Sequence, residues 1–434
     1  MRKFIFVFVL PLFAHTLTAQ ISEYCIPDRF GEEPLFNGDD IEVINNIPYG
    51  LADFWYDGNV VPQLNSFDIA FPKAAVDDLS KRPFIALFHG GGFAAGDKTK
   101  MTNFMMEMAK RGYVAATFNY RLGWNTGGVE PSYCLGDPES LLGAYYRTCQ
   151  DVNASMRYIT YHASEYGIDT SMIFIGGQSA GMMGVMTNIY MSQQNINQIY
   201  PGLEDKYGSI DESTNSIDIT YSVKGIINMW GAIPDTTFIN SNENIPIINF
   251  YGERDNVVPP VSGPVQDCYS PNEYFTVYGS VSVYNRLSNL GICSILHANQ
   301  ITGHDAYLYE FTVPESACFL KSIICDNCTS GEFLNEISSC GQFVPIQENG
   351  LLENITVFPN PATGTLFISL GNASLPEYPI LEIYDATGRA ISADFNLDGS
   401  LIKLNITDMA SGIYFGRIKV VDSIEDFRFV VNQK

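Results

Sequence analysis

The sequence predicts an α/β protein, a doubly wound and mostly parallel sheet, followed by a small all-β sandwich domain at the C-terminal end. Three observations carry this. Apolar runs of strand length alternate with helical stretches from Pro83 to Asn299, the pattern of a parallel sheet covered on both faces. One of those runs, Met172-Ile173-Phe174-Ile175, passes through Gly177-Gln178-Ser179-Ala180-Gly181 straight into a helical stretch, Met182 to Met191. Beyond Cys340 there is no further cysteine, and the chain breaks into short alternating segments separated by turns.

Bulk properties bound the rest. With 434 residues the chain is long enough for two domains, and 46% hydrophobic with 13% aromatic residues argues for packed cores. The formal charge is −24, from 24 basic and 48 acidic residues. Such a surface repels phosphate backbones, so no nucleic acid is expected as a partner. Residues 1–19 read as a signal peptide: Arg2 and Lys3, an apolar core from Phe4 to Phe13, and Leu17-Thr18-Ala19 before Gln20. That core is too short to span a bilayer, and no later stretch has the length of a transmembrane segment. All nine cysteines follow the signal. Export makes disulfides the first reading, with one thiol left over. A bridge from Cys134 to Cys149 would pin the loop from Trp124 to Pro138, whose Trp124 and Tyr133 could stack on a substrate ring. The alternative is a zinc site from Cys318, Cys325, Cys328 and Cys340, disfavoured because no second C-x-x-C pair exists. No cofactor or metal is expected.

Taken in order, residues 20–82 form a β-rich entry, with Gly50 to Tyr56 and Gln63 to Phe71 as a hairpin around Asp57-Gly58-Asn59. Pro83 to Phe88 is a buried strand that runs into His89-Gly90-Gly91-Gly92-Phe93. Lys98 to Arg111 is helical and Tyr113 to Tyr120 is the next strand. A long amphipathic helix spans Glu139 to Tyr166, and the serine-bearing strand and helix follow. Residues 193–222 are a polar insertion, read either as a lid beside Ser179 or as a surface excursion. Val223 to Met229, Ile245 to Tyr251 and Cys293 to Asn299 are further strands, with a helix from Gly279 to Leu290; Cys293 to Asn299 is expected to be the last strand of the domain.

His89, Ser179, Asp255 and His304 each fall just after an apolar strand, so the topology should gather them at one edge of the sheet. A serine hydroxyl becomes a nucleophile only when a base takes its proton. His304 is the best base: His89 precedes the glycines, His162 lies in a helix, and His297 sits inside a strand. Asp255 fits as the carboxylate that orients the imidazole, with Asp235 as runner-up and Asp305 too near His304 in sequence. Three glycines after a buried strand cost backbone entropy, and an oxyanion hole is the chemical reason for them.

His89-Gly-Gly-Gly-Phe93 together with Gly177-Gln-Ser-Ala-Gly181 resembles the carboxylesterase and lipase side of the α/β-hydrolase superfamily. Asn119-Tyr-Arg-Leu-Gly123 and the Asp151-to-Gly181 segment are similar to cholinesterase-like carboxylesterases. The Asp acid and compact size resemble instead the hormone-sensitive-lipase-like and bacterial feruloyl or acetyl esterases. The resemblance covers residues 45–325. It implies a serine esterase with Ser179, Asp255 and His304 as catalytic residues and the amides of Gly91, Gly92 and Ala180 as oxyanion hole. The implied substrate is a small-molecule or polysaccharide ester with a short acyl, acetyl or feruloyl group. A peptidase or lipase on the same fold, or a non-catalytic binding protein, are the alternatives. The insertion after the serine helix departs from the family pattern. Phe358-Pro-Asn-Pro361, Ile383-Tyr-Asp-Ala-Thr-Gly388 and Ala410-Ser-Gly-Ile-Tyr414 resemble the C-terminal sorting domain of the Bacteroidetes type IX secretion system. That resemblance implies the secretion machinery as a partner and a secreted or surface-attached product exported through the periplasm. The expected domains are thus 20–340 for catalysis, 341–350 as linker and 351–434 for sorting.

Overall fold

The computed structural model describes residues 22–56, 59–127, 133–266, 274–340, 355–370, 379–385, 389–420 and 423–433. The predicted signal peptide and the 341–350 linker lie outside these. The chain divides into two compact units, Met1–Val344 and Pro345–Lys434.

The first unit opens with a long hairpin, β1 (Ile41–Tyr56) and β2 (Asn59–Pro72), then β3 (Arg82–Phe88), α1 (Thr102–Lys110) and β4 (Val114–Phe118). Next come α2 (Pro138–Tyr161), β5 (Ile168–Gln178) and α3 (Ser179–Tyr190). Two short helices follow, α4 (Gln193–Ile199) and α5 (Leu203–Tyr207), then β6 (Gly225–Met229), the two-residue β7 (Ala232–Ile233) and β8 (Ile247–Gly252). The unit ends with β9 (Ser262–Pro264), β10 (Thr276–Gly279), α6 (Ser280–Leu290), β11 (Ser294–Asn299), α7 (Tyr309–Ile324) and β12 (Gly331–Leu334).

Nine of these strands form one sheet in the order β1-β2-β4-β3-β5-β6-β8-β11-β12. β2 runs antiparallel to β1 and β4, and every other pair is parallel. Successive residues on a strand face opposite sides, and both sides are apolar here. Phe84, Ala86 and Phe88 join the core under α2, α3 and α6, while Ile85 and Leu87 join the core under α1 and α7. That double coverage explains why the strands read as unbroken apolar runs. It also makes this an α/β-hydrolase arrangement, with an antiparallel entry, a parallel body and helices on both faces.

Several elements differ from their sequence expectation. β1 and β2 are longer than the hairpin read from the sequence. α2 ends at Tyr161, because His162 leaves helical geometry and caps it. Cys293 to Asn299 does not close the sheet: β12 adds parallel to β11, pairing Ile295 with Gly331 and His297 with Phe333. Its four residues, Gly331-Glu332-Phe333-Leu334, are too short to show periodicity.

The predicted Cys134–Cys149 bridge is not formed. Cys149 is a free thiol fully buried on α2 against Tyr145, and Cys134 is bonded elsewhere. A thiol pointing into the helix–sheet core cannot reach a surface loop. The pairs Cys25–Cys325, Cys293–Cys328 and Cys318–Cys340 use all four thiols of the alternative zinc reading. The first of these ties the last stretch of the unit to its first, across a separation of 300 residues.

The insertion at 193–222 is fastened to α2. Gln150 Nε2 donates to the carbonyls of Tyr207 and Gly208, and Asn153 Nδ2 donates to Ile210 O and Asp211 Oδ1. A cleft of about 1240 Å³ lies between this insertion, α2 and the far end of α3. None of the described insertion residues lines the pocket at Ser179, so the lid reading finds no support in the geometry.

The described residues of the second unit form eight strands, from β13 (Thr356–Thr363) and β14 (Thr365–Ser369) through β15 (Ile380–Asp385), β16 (Ala390–Ile391), β17 (Phe395–Asp398) and β18 (Leu401–Asn405) to β19 (Gly412–Val420) and β20 (Ser423–Val431). β13 pairs with β14 on one side and β20 on the other, linking two antiparallel layers around Leu366, Ile368, Ile402, Ile418 and Phe429. Short alternating strands separated by turns are what the sequence predicts for this stretch.

Candidate active site

Ser179 stands at the first position of α3, directly after β5, with φ at +47°. A non-glycine residue held in the left-handed region is strained, and the turn persists because its surroundings fix it. Gly181 shows how: a Cβ there would lie 2.4 Å from His89 O and 2.8 Å from Phe88 O. Only glycine lets the helix start this close to the end of β3.

His304 and Asp255 arrive from two other loops at the carboxyl edge, after β11 and β8. Ser179 Oγ donates to His304 Nε2 at 2.8 Å, and His304 Nδ1 donates to Asp255 Oδ2 at 2.8 Å. The second carboxylate oxygen of Asp255 accepts from Val257 N at 2.8 Å and Val258 N at 2.9 Å. Asp255 is 7% exposed and Ser179 6%, so both are shielded while the imidazole keeps some access. This arrangement fixes one imidazole tautomer and leaves Nε2 to take the serine proton. Trp230, itself at φ +45°, sets its ring edge-on to His304 with centroids 6.4 Å apart. The sequence reading gave Trp230 no role; only its place after a buried strand could have marked it.

Asp235 and Asp305 do not join this group. Asp235 caps a short helical turn by accepting from Thr237 N at 2.7 Å, and Asp305 is exposed. His297 is a core residue, stacked between Phe250 and Phe333. His162 pairs with Glu165 at the end of α2.

The glycine loop lies against the serine. A Cβ on Gly90 would stand 3.3 Å from that of Ser179, and Gly92 and Ala180 line one pocket with Ser179. The Ala180 amide is among the first four of α3, which no helical carbonyl can satisfy. The Gly91 carbonyl accepts from Ala94 N and Ala95 N, folding the loop back on itself. Asn119-Tyr120-Arg121 supports it from beneath. Tyr120 OH donates to His89 O at 2.7 Å, and Arg121 is locked to buried Asp151, its Nε 3.0 Å from each carboxylate oxygen. Trp124 is 2% exposed and packs over Gly92, so it is a wall of the site rather than the open stacking platform that its loop position suggested. The side chain of Tyr133, its companion in that reading, lies outside the described residues.

His89 is a structural histidine that holds the loop. Its ring stacks on Tyr120 and its Nδ1 donates to Gly90 O at 2.8 Å. Burial lowers its pKa from 6.5 to about 4. The unfolded chain therefore takes up a proton near pH 6.5 that the folded chain refuses until near pH 4. Stability from this group is complete above pH 6.5 and is lost as the pH falls toward 4, on the order of 3 kcal/mol in all. Following the His89 ring protons by NMR should give a midpoint near 4; a midpoint near 6.5 would contradict this account.

Sheet order, covering helices and the placement of Ser179, His304 and Asp255 define an α/β-hydrolase unit. Within that class, residues 143–244 match the BD-FAE family model, and residues 356–432 match the secretion system C-terminal sorting domain. The sorting domain marks the chain for the cell surface or the outside of the cell. The fumonisin B1 esterase of Sphingopyxis macrogoltabida is 25% identical over 150 residues, which is 33% of this chain and 27% of that protein. The match thus spans about a quarter of that curated relative. Among solved structures, a thermophilic esterase of Thermogutta terrifontis is 16% identical with a TM-score of 0.42, covering 66% of this chain and 96% of that one. A truncated carbohydrate esterase from gut microbiota is also 16% identical at 0.42, covering 68% and 99%.

Proposed function

We propose that the protein is a secreted serine esterase that cleaves carboxylic esters through an acyl-enzyme on Ser179. The observation that carries the reading is the unbroken hydrogen-bonded series Ser179–His304–Asp255, assembled from three separate strand ends. His304 acts as base and then as acid, Asp255 orients it, and the amides of Gly91, Gly92 and Ala180 receive the charge on the carbonyl oxygen. The substrates are short acyl esters of bulky alcohols, such as acetyl or feruloyl esters of plant polysaccharides. Export and the esterase relatives favour this class. Turnover of p-nitrophenyl acetate without cleavage of a peptide p-nitroanilide is the expected result. The reverse pattern would make the enzyme a peptidase, and neither activity would leave a binding protein.

The sorting unit engages the type IX secretion machinery and is dispensable for catalysis. The three described disulfides all lie before residue 341, and none of the proposed catalytic groups belongs to the tail. A chain ending at residue 350 is expected to fold and to keep full kcat. The secreted protein should lack the tail in its intact mass; a retained tail that binds polysaccharide would replace sorting with substrate targeting.

A further inference from the structure

We infer that the acyl site is built for acetyl and excludes longer acyl groups, feruloyl included, with Leu141 and Met183 setting the limit. The inference rests on the esterase reading above and narrows it.

An ester on Ser179 has two arms, and the proton route assigns them. His304 Nε2, 2.8 Å from Ser179 Oγ, must reach the leaving oxygen, so the alcohol lies on the His304 side. A narrow pocket opens from Ser179 along the oxyanion glycines. Gly92, Phe93, Ala180, Leu141 and Met183 line it together with Val257, Val258, Val265 and Gln266 of the stretch after Asp255, and His304 is not among its described lining residues. That pocket takes the acyl arm. Ser179 Oγ adds to the acyl carbonyl as its proton passes to His304; the proton then leaves on the alcohol oxygen as the ester bond breaks. Water repeats the sequence on the acyl-serine, releasing the carboxylic acid and restoring the hydroxyl.

The volume of the pocket is about 20 Å³. A cavity of roughly 10–15 Å³ on the same measure holds one water, and a methyl group is little larger. An acetyl methyl therefore fills it, and a longer acyl chain finds no further space within it. The aromatic walls are braced. Trp124 meets Tyr274 edge-on at 5.6 Å, and Tyr274 OH donates to Gly136 O; Phe93 meets Tyr145 edge-on at 5.9 Å, and Tyr145 lies against Phe275. Leu141 from α2 and Met183 from α3 are aliphatic, 2% and 1% exposed, and truncating either extends the pocket without dismantling that brace.

The test is a chain-length series on the full secreted enzyme: p-nitrophenyl acetate, butyrate and hexanoate, with methyl ferulate. One methylene that a pocket cannot place is worth about 10–200-fold in kcat/KM. Acetate should exceed butyrate by at least about tenfold, with hexanoate and methyl ferulate lower still. Leu141→Ala or Met183→Ala should raise the butyrate-to-acetate ratio by about tenfold or more. Wild-type turnover of butyrate or methyl ferulate as fast as acetate overturns the inference and leaves the esterase reading standing. So does an unchanged ratio in both variants when thermal melts show them folded. Failure to cleave even the acetate overturns the esterase reading and this inference with it.

Discussion

Ser179→Ala is expected to lower kcat by on the order of 10⁴ or more, and His304→Ala by a similar factor, with the melting temperature little changed. The two groups act as a unit, so the double substitution should cost scarcely more than either alone. Asp255→Asn should also be severe: an amide in contact with His304 Nδ1 can present its NH₂ and force the wrong tautomer, and the pinning of Asp255 by two backbone amides leaves it no other orientation. Asp235→Asn is the control. Its carboxylate caps a turn away from the imidazole, and asparagine caps as well as aspartate. If Asp235→Asn proved the more damaging of the two, the assignment of the orienting acid would fall.

Gly91→Ala is expected to cost about 10²–10³ in kcat. The backbone there has φ +137°, and a Cβ would stand 1.8 Å from Ala95 O, the carbonyl of a residue whose own amide donates to Gly91 O. No side chain can yield at such a contact, so the loop must open and carry the amide of Gly91 away from the substrate oxygen. Gly92→Ala supplies the contrast. Its nearest neighbours to a new Cβ are Trp124 atoms at 3.7 and 3.9 Å, which is ordinary contact, although φ +60° still costs about 1–2 kcal/mol. The expected order is a larger loss of kcat at position 91 than at 92, with KM moved less than kcat in the first case. Equal effects at both positions would mean that the loop tolerates rearrangement.

The site was legible in the sequence because each of its members follows an apolar strand. Strand ends in a parallel sheet share one edge, so Ser179, Asp255 and His304 could be placed together without any knowledge of distance. The choice between Asp255 and Asp235 rested on the same rule, and the hydrogen bond to His304 agrees with Asp255. What the sequence hid has a common physical origin: it depends on side-chain direction within elements that were themselves recognised. Cys149 was assigned to a loop bridge although its helical position turns it into the core. Trp124 looked like an open platform because its neighbours are loop residues, yet the loop folds inward over Gly92. β12 escaped notice because only Phe333 of its four residues is buried, which is no pattern at all. The insertion read as a possible lid because it follows the serine helix, but a helix of 12 residues carries its far end about 18 Å from its start.

The bridge between Cys25 and Cys325 has a consequence for life outside the cell. Ser179, Asp255 and His304 all lie within the 300-residue loop that it closes. A protease that cuts once anywhere inside that loop produces two chains still joined by a covalent bond, each packed against the same sheet. The nicked enzyme cannot shed a fragment carrying part of its relay. Release of a fragment in a protease-rich medium then requires two cuts, or a cut and a reductant, and a single clipped surface loop becomes a survivable injury.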